Sequence, residues 1–339
     1  VASRKSRVLV LGDWDADGVV ATALLTYAQE YLKTYPLEEE VKVDKMPIDP
    51  DKLKYIISSI SEEHSVVVIL DIPYSEVLGN VVRILKTHFG ISRVVFIDHH
   101  IASVQKHSEI SRVVDEVIVD FKKPTSVLLY EELSKRGLKI HAKLTSFVEV
   151  VKYMDSGRKV PGKLMKLFEI AKAFSKVLTA MRSEELWVKI VEWLANPEPL
   201  PLPLDDAMWS RAREIIESRD REVGEVARDL AVTAVKIGDL RFIDARTRWK
   251  KRGATALASR LSSILKAPVA VLVNTNRGYP LLILKAPGGR AYRVAKYLLA
   301  EGIALDIAGH PNLAIVRIPS NIDKSKLVET LHTALYYSS

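Results

Sequence analysis

The stretch that decides the fold is Arg7-Val8-Leu9-Val10-Leu11-Gly12-Asp13-Trp14-Asp15-Ala16-Asp17-Gly18. A short apolar run, too brief for a helix, breaks into an acidic loop closed by glycine, and a helical pattern follows over 19–33. The same order recurs downstream. Residues 66–70 are all aliphatic and run into Asp71, and residues 94–97 run into Asp98-His99-His100. A fourth β-branched run covers 113–119, and the segments 51–59, 74–87 and 125–136 read as helices between the strands. Strands that are apolar at every position are buried on both faces, and their alternation with helices predicts a mostly parallel sheet flanked by helices.

From 161 to about 230 the pattern is helical only, interrupted by the proline-rich run Asn196-Pro197-Glu198-Pro199-Leu200-Pro201-Leu202-Pro203, which cannot be helix interior. Strands return over 232–237, 269–274, 281–284 and 314–318, with helices over 253–265 and 292–300. Asn276-Arg277-Gly278-Tyr279 is expected to turn one strand back on the next as a hairpin. The expected architecture is therefore α/β: a domain at 1–160, a helical connector at 161–230, and a smaller C-terminal α/β domain at 231–339.

Composition narrows the chemistry. The 339 residues are 48% hydrophobic and 27% charged, ordinary for a globular chain of about two domains. The absence of cysteine excludes disulfides, zinc–thiolate sites, iron–sulfur clusters and thiol nucleophiles. The longest apolar runs fall far below the ~18 residues of a membrane span. The basic start of the chain leads into only four apolar residues, too few for a signal-peptide core, so a cytoplasmic protein with no membrane partner is expected. Residues 1–160 and 161–235 are near charge balance, whereas 236–339 carry 17 Lys+Arg against 6 Asp+Glu, a net +11. Such a segment suits a polyanion, although a solvated basic face would look the same.

The acids at the strand ends carry the functional reading. In an open parallel sheet, ligands bind beyond the carboxyl ends of the strands, where these three clusters should converge. Carboxylates so crowded repel one another unless a cation neutralises them, and oxygen ligands with an imidazole suit Mn²⁺ or Mg²⁺. Each piece has a plain alternative: Asp17 can cap the helix beginning near Val19, and Asp71 can be a turn residue before Pro73.

These motifs resemble those of the DHH phosphoesterase family. Residues 12–18, Asp71 and Asp98-His99-His100 are similar to its first three motifs, and Tyr153-Met154-Asp155-Ser156-Gly157 to its fourth. Ile307-Ala308-Gly309-His310-Pro311 resembles the glycine-and-histidine turn of the DHH-associated C-terminal domain, although Ile307 and Ala308 replace two of its usual glycines. The first motif, with its second acidic pair, is similar to the RecJ-like branch. The resemblance implies a catalytic domain over 1–160 and a substrate-binding domain over 231–339. It further implies two divalent metal ions, Mn²⁺ before Mg²⁺, held by Asp13, Asp15, Asp71, His99 and Asp155, with Asp71 bridging. Asp98 would orient His99, and His100 would face the scissile phosphate. Several small-substrate members carry a histidine where this chain has Leu9, so the ion held mainly by Asp13 and Asp71 should be the weaker-bound.

The implied reaction is hydrolysis of a phosphodiester by two-metal-activated water. Lys285, Arg290 and His310 are the candidate phosphate contacts, with Gly288-Gly289 readable either as an anion-binding helix start or as a plain turn. Arg246, Arg248, Trp249 and Lys250 form a candidate nucleic-acid track. There Trp249 either stacks on a base or anchors the loop in the core. A RecJ-like exonuclease on single-stranded DNA or RNA, DNA favoured, with a place in DNA repair or replication, is the leading expectation. A nano-RNase or pAp phosphatase acting on short oligonucleotides or nucleoside bisphosphates is the second. The third is an inactive scaffold, since some relatives serve replication complexes, including through a GINS-type partner.

Overall fold

The all-apolar runs become central strands because each strand sends alternate residues to opposite faces, and both faces are covered. The computed structural model describes residues 7–61, 63–156, 158–250, 253–275 and 279–338. The chain divides into two units, 1–216 and 217–339. In the first, β1 (Arg7–Gly12) leads into α1 (Ala16–Thr26), which continues as a π-helical turn over Tyr27–Tyr31. β2 (Lys42–Pro47), a 3₁₀ segment at Pro50–Ser59 and β3 (His64–Leu70) follow, then α2 (Glu76–His88) and β4 (Arg93–Asp98). Two short helices, α3 (Ile101–Gln105) and α4 (His107–Ile110), precede β5 (Glu116–Val119), α5 (Thr125–Lys135) and α6 (Ala142–Ser156).

The five strands pair in parallel in the order β2-β1-β3-β4-β5. Val8, Val10, Val66 and Val68 point to a core shared with α1, α5 and α6, while Leu9, Leu11, Val67 and Ile69 point to a second core under α2 and the 3₁₀ segment. β2 was not expected. Its sequence mixes lysines and an aspartate with apolar residues, as an edge strand can. The expected run 113–119 pairs only from Glu116, because the Val113 and Val114 amides both donate to the Ile110 carbonyl.

The helical stretch contains α7 (Met165–Met181), α8 (Glu184–Ala195) and, after the proline segment, α9 (Asp206–Ala231). α7 and α8 bury Phe174, Val177, Trp187 and Ile190 in the same core as α1. The second unit holds β6 (Val235–Ile237), β7 (Leu240–Asp244), α10 (Ala254–Leu265), β8 (Val269–Asn274) and β9 (Pro280–Lys285). α11 (Arg290–Ala300), β10 (Asp306–His310), β11 (Leu313–Arg317) and α12 (Lys324–Tyr337) complete it.

Its six-stranded sheet runs β10-β11-β9-β8-β7-β6, with β7–β8 parallel and the other pairs antiparallel. β8 and β9 pair as the expected hairpin requires, with Asn274 opposite Pro280. The turn residues Asn276, Arg277 and Gly278 lie outside the described residues, as do Gly157, Lys251 and Arg252. β10 was hidden from pattern reading because Gly309 and a charged first residue break its alternation. Among the described residues, no helix is long and apolar enough to cross a membrane.

Candidate metal and phosphate site

The adjacency of β1, β3 and β4 brings the three acidic strand ends to one edge of the sheet. The loop after β1 turns sharply onto α1. A Cβ at Gly18 would lie 2.6 Å from both the Asp13 amide nitrogen and its carbonyl oxygen, so only glycine fits there. Asp15 is the N-cap of α1: its Oδ1 accepts from the Asp17 and Gly18 amides at 2.9 and 3.1 Å. Asp17 therefore does not cap α1. It turns inward, where its carboxylate accepts from the Thr125 and Ser126 amides at 2.7 and 2.9 Å, capping the start of α5 instead. The loop is also held from outside the sheet, because Trp187 Nε1 of α8 donates to the Asp13 carbonyl at 3.0 Å.

Asp71 is buried with φ 62, a left-handed conformation that costs a non-glycine residue and that persists where surrounding structure enforces it. Its amide donates to the Ile97 carbonyl, and its Oδ1 accepts from the Thr125 hydroxyl at 2.9 Å. His99 Nε2 lies 3.4 Å from Asp71 Oδ1 and 3.8 Å from Asp17 Oδ2. Asp98 Oδ1 meets His100 Nδ1 at 2.8 Å, and its other oxygen accepts from the Ser103 hydroxyl. Asp98 thus orients the imidazole of His100, where His99 was expected; the two rings meet edge-on with centroids 5.0 Å apart.

Potential ligand atoms of Asp13, Asp15 and Asp71 lie within 4.8 Å of one another, as do those of Asp17, Asp71 and His99, and those of Asp71, Asp98 and His100. Asp71 is common to all three groups. The electrostatics match that crowding. Burial, reinforced by Asp15, pushes the Asp13 carboxyl up to about 7, partly countered by His100 and Arg182. Burial raises Asp17 against the pull of His99, and burial together with Asp17, Asp15 and Asp13 holds Asp71 well above the usual carboxylate range. Burial would lower His100, but the Asp98 charge and hydrogen bond carry it up to about 9. In turn, despite burial, His100 and Ser103 hold Asp98 below the usual range. Carboxylates that resist ionisation on their own are relieved by a cation, and these oxygen-rich groups, with no more than one imidazole in each, fit a hard divalent ion.

Asp155 lies on the last turn of α6, beside a cavity of about 190 Å³ that Lys152 and Arg158 also line, and none of the groups above includes it. In the second unit, Lys285 donates to Ser259 Oγ at 2.8 Å and Arg290 pairs with Asp239. Gly288 and Gly289 both take positive φ, Gly289 is the N-cap of α11, and its amide donates to Asn312 Oδ1. His310 ends β10. A Cβ on the preceding Gly309 would come 2.3 Å from the Leu313 carbonyl. Arg246 is engaged by Asp244 through two hydrogen bonds, whereas Arg248 and Lys250 are exposed. Trp249 is 1% exposed and packs with Ile243 and Leu257, so it anchors the loop rather than stacking on a base.

No family model and no curated protein matches this sequence. Solved structures do. The DHH domain of a member of a ribosomal-protein family is 15% identical, with TM-score 0.61, over 97% of this chain and 86% of that one. In fold, the chain resembles the DHH domains of RecJ structures. RecJ from Thermus thermophilus in complex with Mn²⁺ is 15% identical with TM-score 0.60 over 98% of this chain, which spans about half (52%) of that protein. The pGpG-specific phosphodiesterase PggH of Vibrio cholerae is 12% identical with TM-score 0.52, over 99% of this chain and 100% of that one.

Proposed function

We propose that the chain is a divalent-metal-dependent phosphodiesterase, a RecJ-like exonuclease that hydrolyses single-stranded nucleic acid, DNA before RNA. The observation that carries this reading is the convergence of Asp13, Asp15 and Asp71 at the ends of adjacent parallel strands, with His99 beside Asp71. Asp13, Asp15, Asp71 and His99 would hold two divalent ions, Mn²⁺ before Mg²⁺. Such ions, when bound, supply Lewis acidity, an activated water and a clamp for in-line displacement at phosphorus. The protein's own contribution is rigidity and charge. Thr125 and the Ile97 carbonyl fix Asp71, and Asp98 orients His100 and favours its protonated form, so that an imidazolium would meet the phosphoryl charge as it develops.

The second unit would serve as the DHH-associated substrate-binding domain. The +11 balance of 236–339 and the exposure of Arg248 and Lys250 support phosphate contacts along a strand. A role in DNA repair or replication, a GINS-type partner and a cytoplasmic location belong to the same proposal. One observation favours a second reading, cleavage of very short oligonucleotides: the chain also matches the full length of a pGpG-specific phosphodiesterase.

End-labelled DNA and RNA of graded lengths, incubated with Mn²⁺, separate the two. Activity that holds or rises beyond about five nucleotides supports the exonuclease, and steep loss supports the short-substrate enzyme. Asp71→Asn, which tolerates the left-handed backbone, should lower the rate on every substrate by about a hundredfold or more. A near-normal rate would refute the two-metal assignment.

A further inference from the structure

The helical stretch that follows the first sheet has no part in the chemistry above, yet its α7–α8 turn reaches the acidic loop. Arg182 ends α7 at φ 52 and ψ 38, a conformation that glycine adopts freely and an arginine only at a cost. Its guanidinium carbon sits 5.0 Å from the centre of the Trp14 ring, and Trp14 stands between Asp13 and Asp15. Nη1 pairs with Asp49 Oδ1 at 2.9 Å. Nε and Nη2 have no hydrogen-bond partner among the described residues, and the side chain is one-third exposed. Five residues on, Trp187 grips the Asp13 carbonyl, so the turn is tied to the loop that it overlooks.

We propose that Arg182 is a substrate-binding residue whose free guanidinium edge takes a non-bridging oxygen of the phosphodiester lying against the acidic cradle. The proposal rests on the phosphodiesterase reading and assigns that site a cation from a part of the chain with no acidic motif. Stacking on Trp14 and the bond to Asp49 hold the planar fork in place before the ligand arrives, which a lysine could not reproduce.

Binding tests this without turnover. The probe is a labelled single-stranded DNA of about twelve nucleotides, read by anisotropy with Ca²⁺ in place of Mn²⁺ across a salt series. Arg182→Gly relieves the backbone and removes only the side chain, so its melting temperature should hold or rise. Its affinity should fall about ten- to a hundredfold, and the salt slope should shrink by about 0.7. Arg182→Lys should restore the salt slope but only part of the affinity. Asp49→Asn, which cuts the ion pair but leaves the guanidinium, should stay within about fivefold of the parent protein. Unchanged affinity and slope in folded Arg182→Gly would overturn the proposal. Equal losses in Asp49→Asn and Arg182→Gly would also overturn it, reducing Arg182 to a latch. If the unmodified protein cleaves no substrate while Arg182→Gly still loses binding, the anion site stands and the nuclease reading falls.

Discussion

Replacing Asp13 by Asn should remove a pH-dependent penalty from the metal-free protein. In the unfolded chain this carboxyl titrates near 3.8, and in the folded protein burial and then Asp15 raise it to about 7. Between those values the folded protein keeps a proton that the unfolded chain has lost, so stability falls as pH rises through the window and levels off above it. The difference corresponds to at most about 4 kcal/mol for ionising Asp13 alone. Asn carries no charge to desolvate. In EDTA, chemical denaturation at a series of pH values from 4 to 8 should therefore show the variant gaining on the parent from about pH 4, up to a plateau near pH 7. Mn²⁺ should act in the opposite sense. At a hundredfold excess over its dissociation constant it adds about 2.7 kcal/mol to the parent protein, with tighter binding at pH 8 than at pH 6 because the proton must leave first. The variant should lose most of that gain. Parallel pH curves for the two proteins in EDTA, or a manganese effect on the parent that is equal at pH 6 and pH 8, would refute the reasoning.

Two further substitutions probe the supports. Trp187→Phe keeps most of the packing but removes the indole N–H from the Asp13 carbonyl; a loss of about 1–2 kcal/mol is expected on denaturation, together with a raised Mn²⁺ concentration for half-maximal stabilisation. Trp249→Ala empties a buried site in the second unit and should cost about 3–5 kcal/mol, with the oligonucleotide affinity of the folded fraction unchanged. An affinity loss exceeding the folding loss would return Trp249 to a stacking role.

The elements that position the site were legible where a single physical rule applied. Aliphatic runs at 66–70 and 94–97 become central strands because nothing else buries both faces of a short segment, and the acids that end them emerge together because parallel neighbours share an edge. Edge elements were harder to read. β2 and β10 carry charge or glycine, since among the described residues one side of each is free of a neighbouring strand.

Within the acidic loop, residue types were readable but orientations were not. Asp15 and Asp17 stand two apart, and which one caps α1 depends on the Thr125 and Ser126 amides, more than a hundred positions away, that draw Asp17 inward. The same holds for Asp98, whose choice of His100 over His99 follows from how β4 hands over to α3. Trp249 was readable as a stacking ring or as a core anchor, and its packing with Ile243 and Leu257 decides for the anchor.

By itself, then, the sequence determined the central parallel strands, the helices between them, and the gathering of acids on one edge, because local periodicity and strand-end chemistry need no knowledge of distant partners. Tertiary structure alone decided which carboxylates face one another, that α8 holds the loop through Trp187, and that Arg182 overlooks it, because these depend on long-range contacts that leave no periodic trace in the chain.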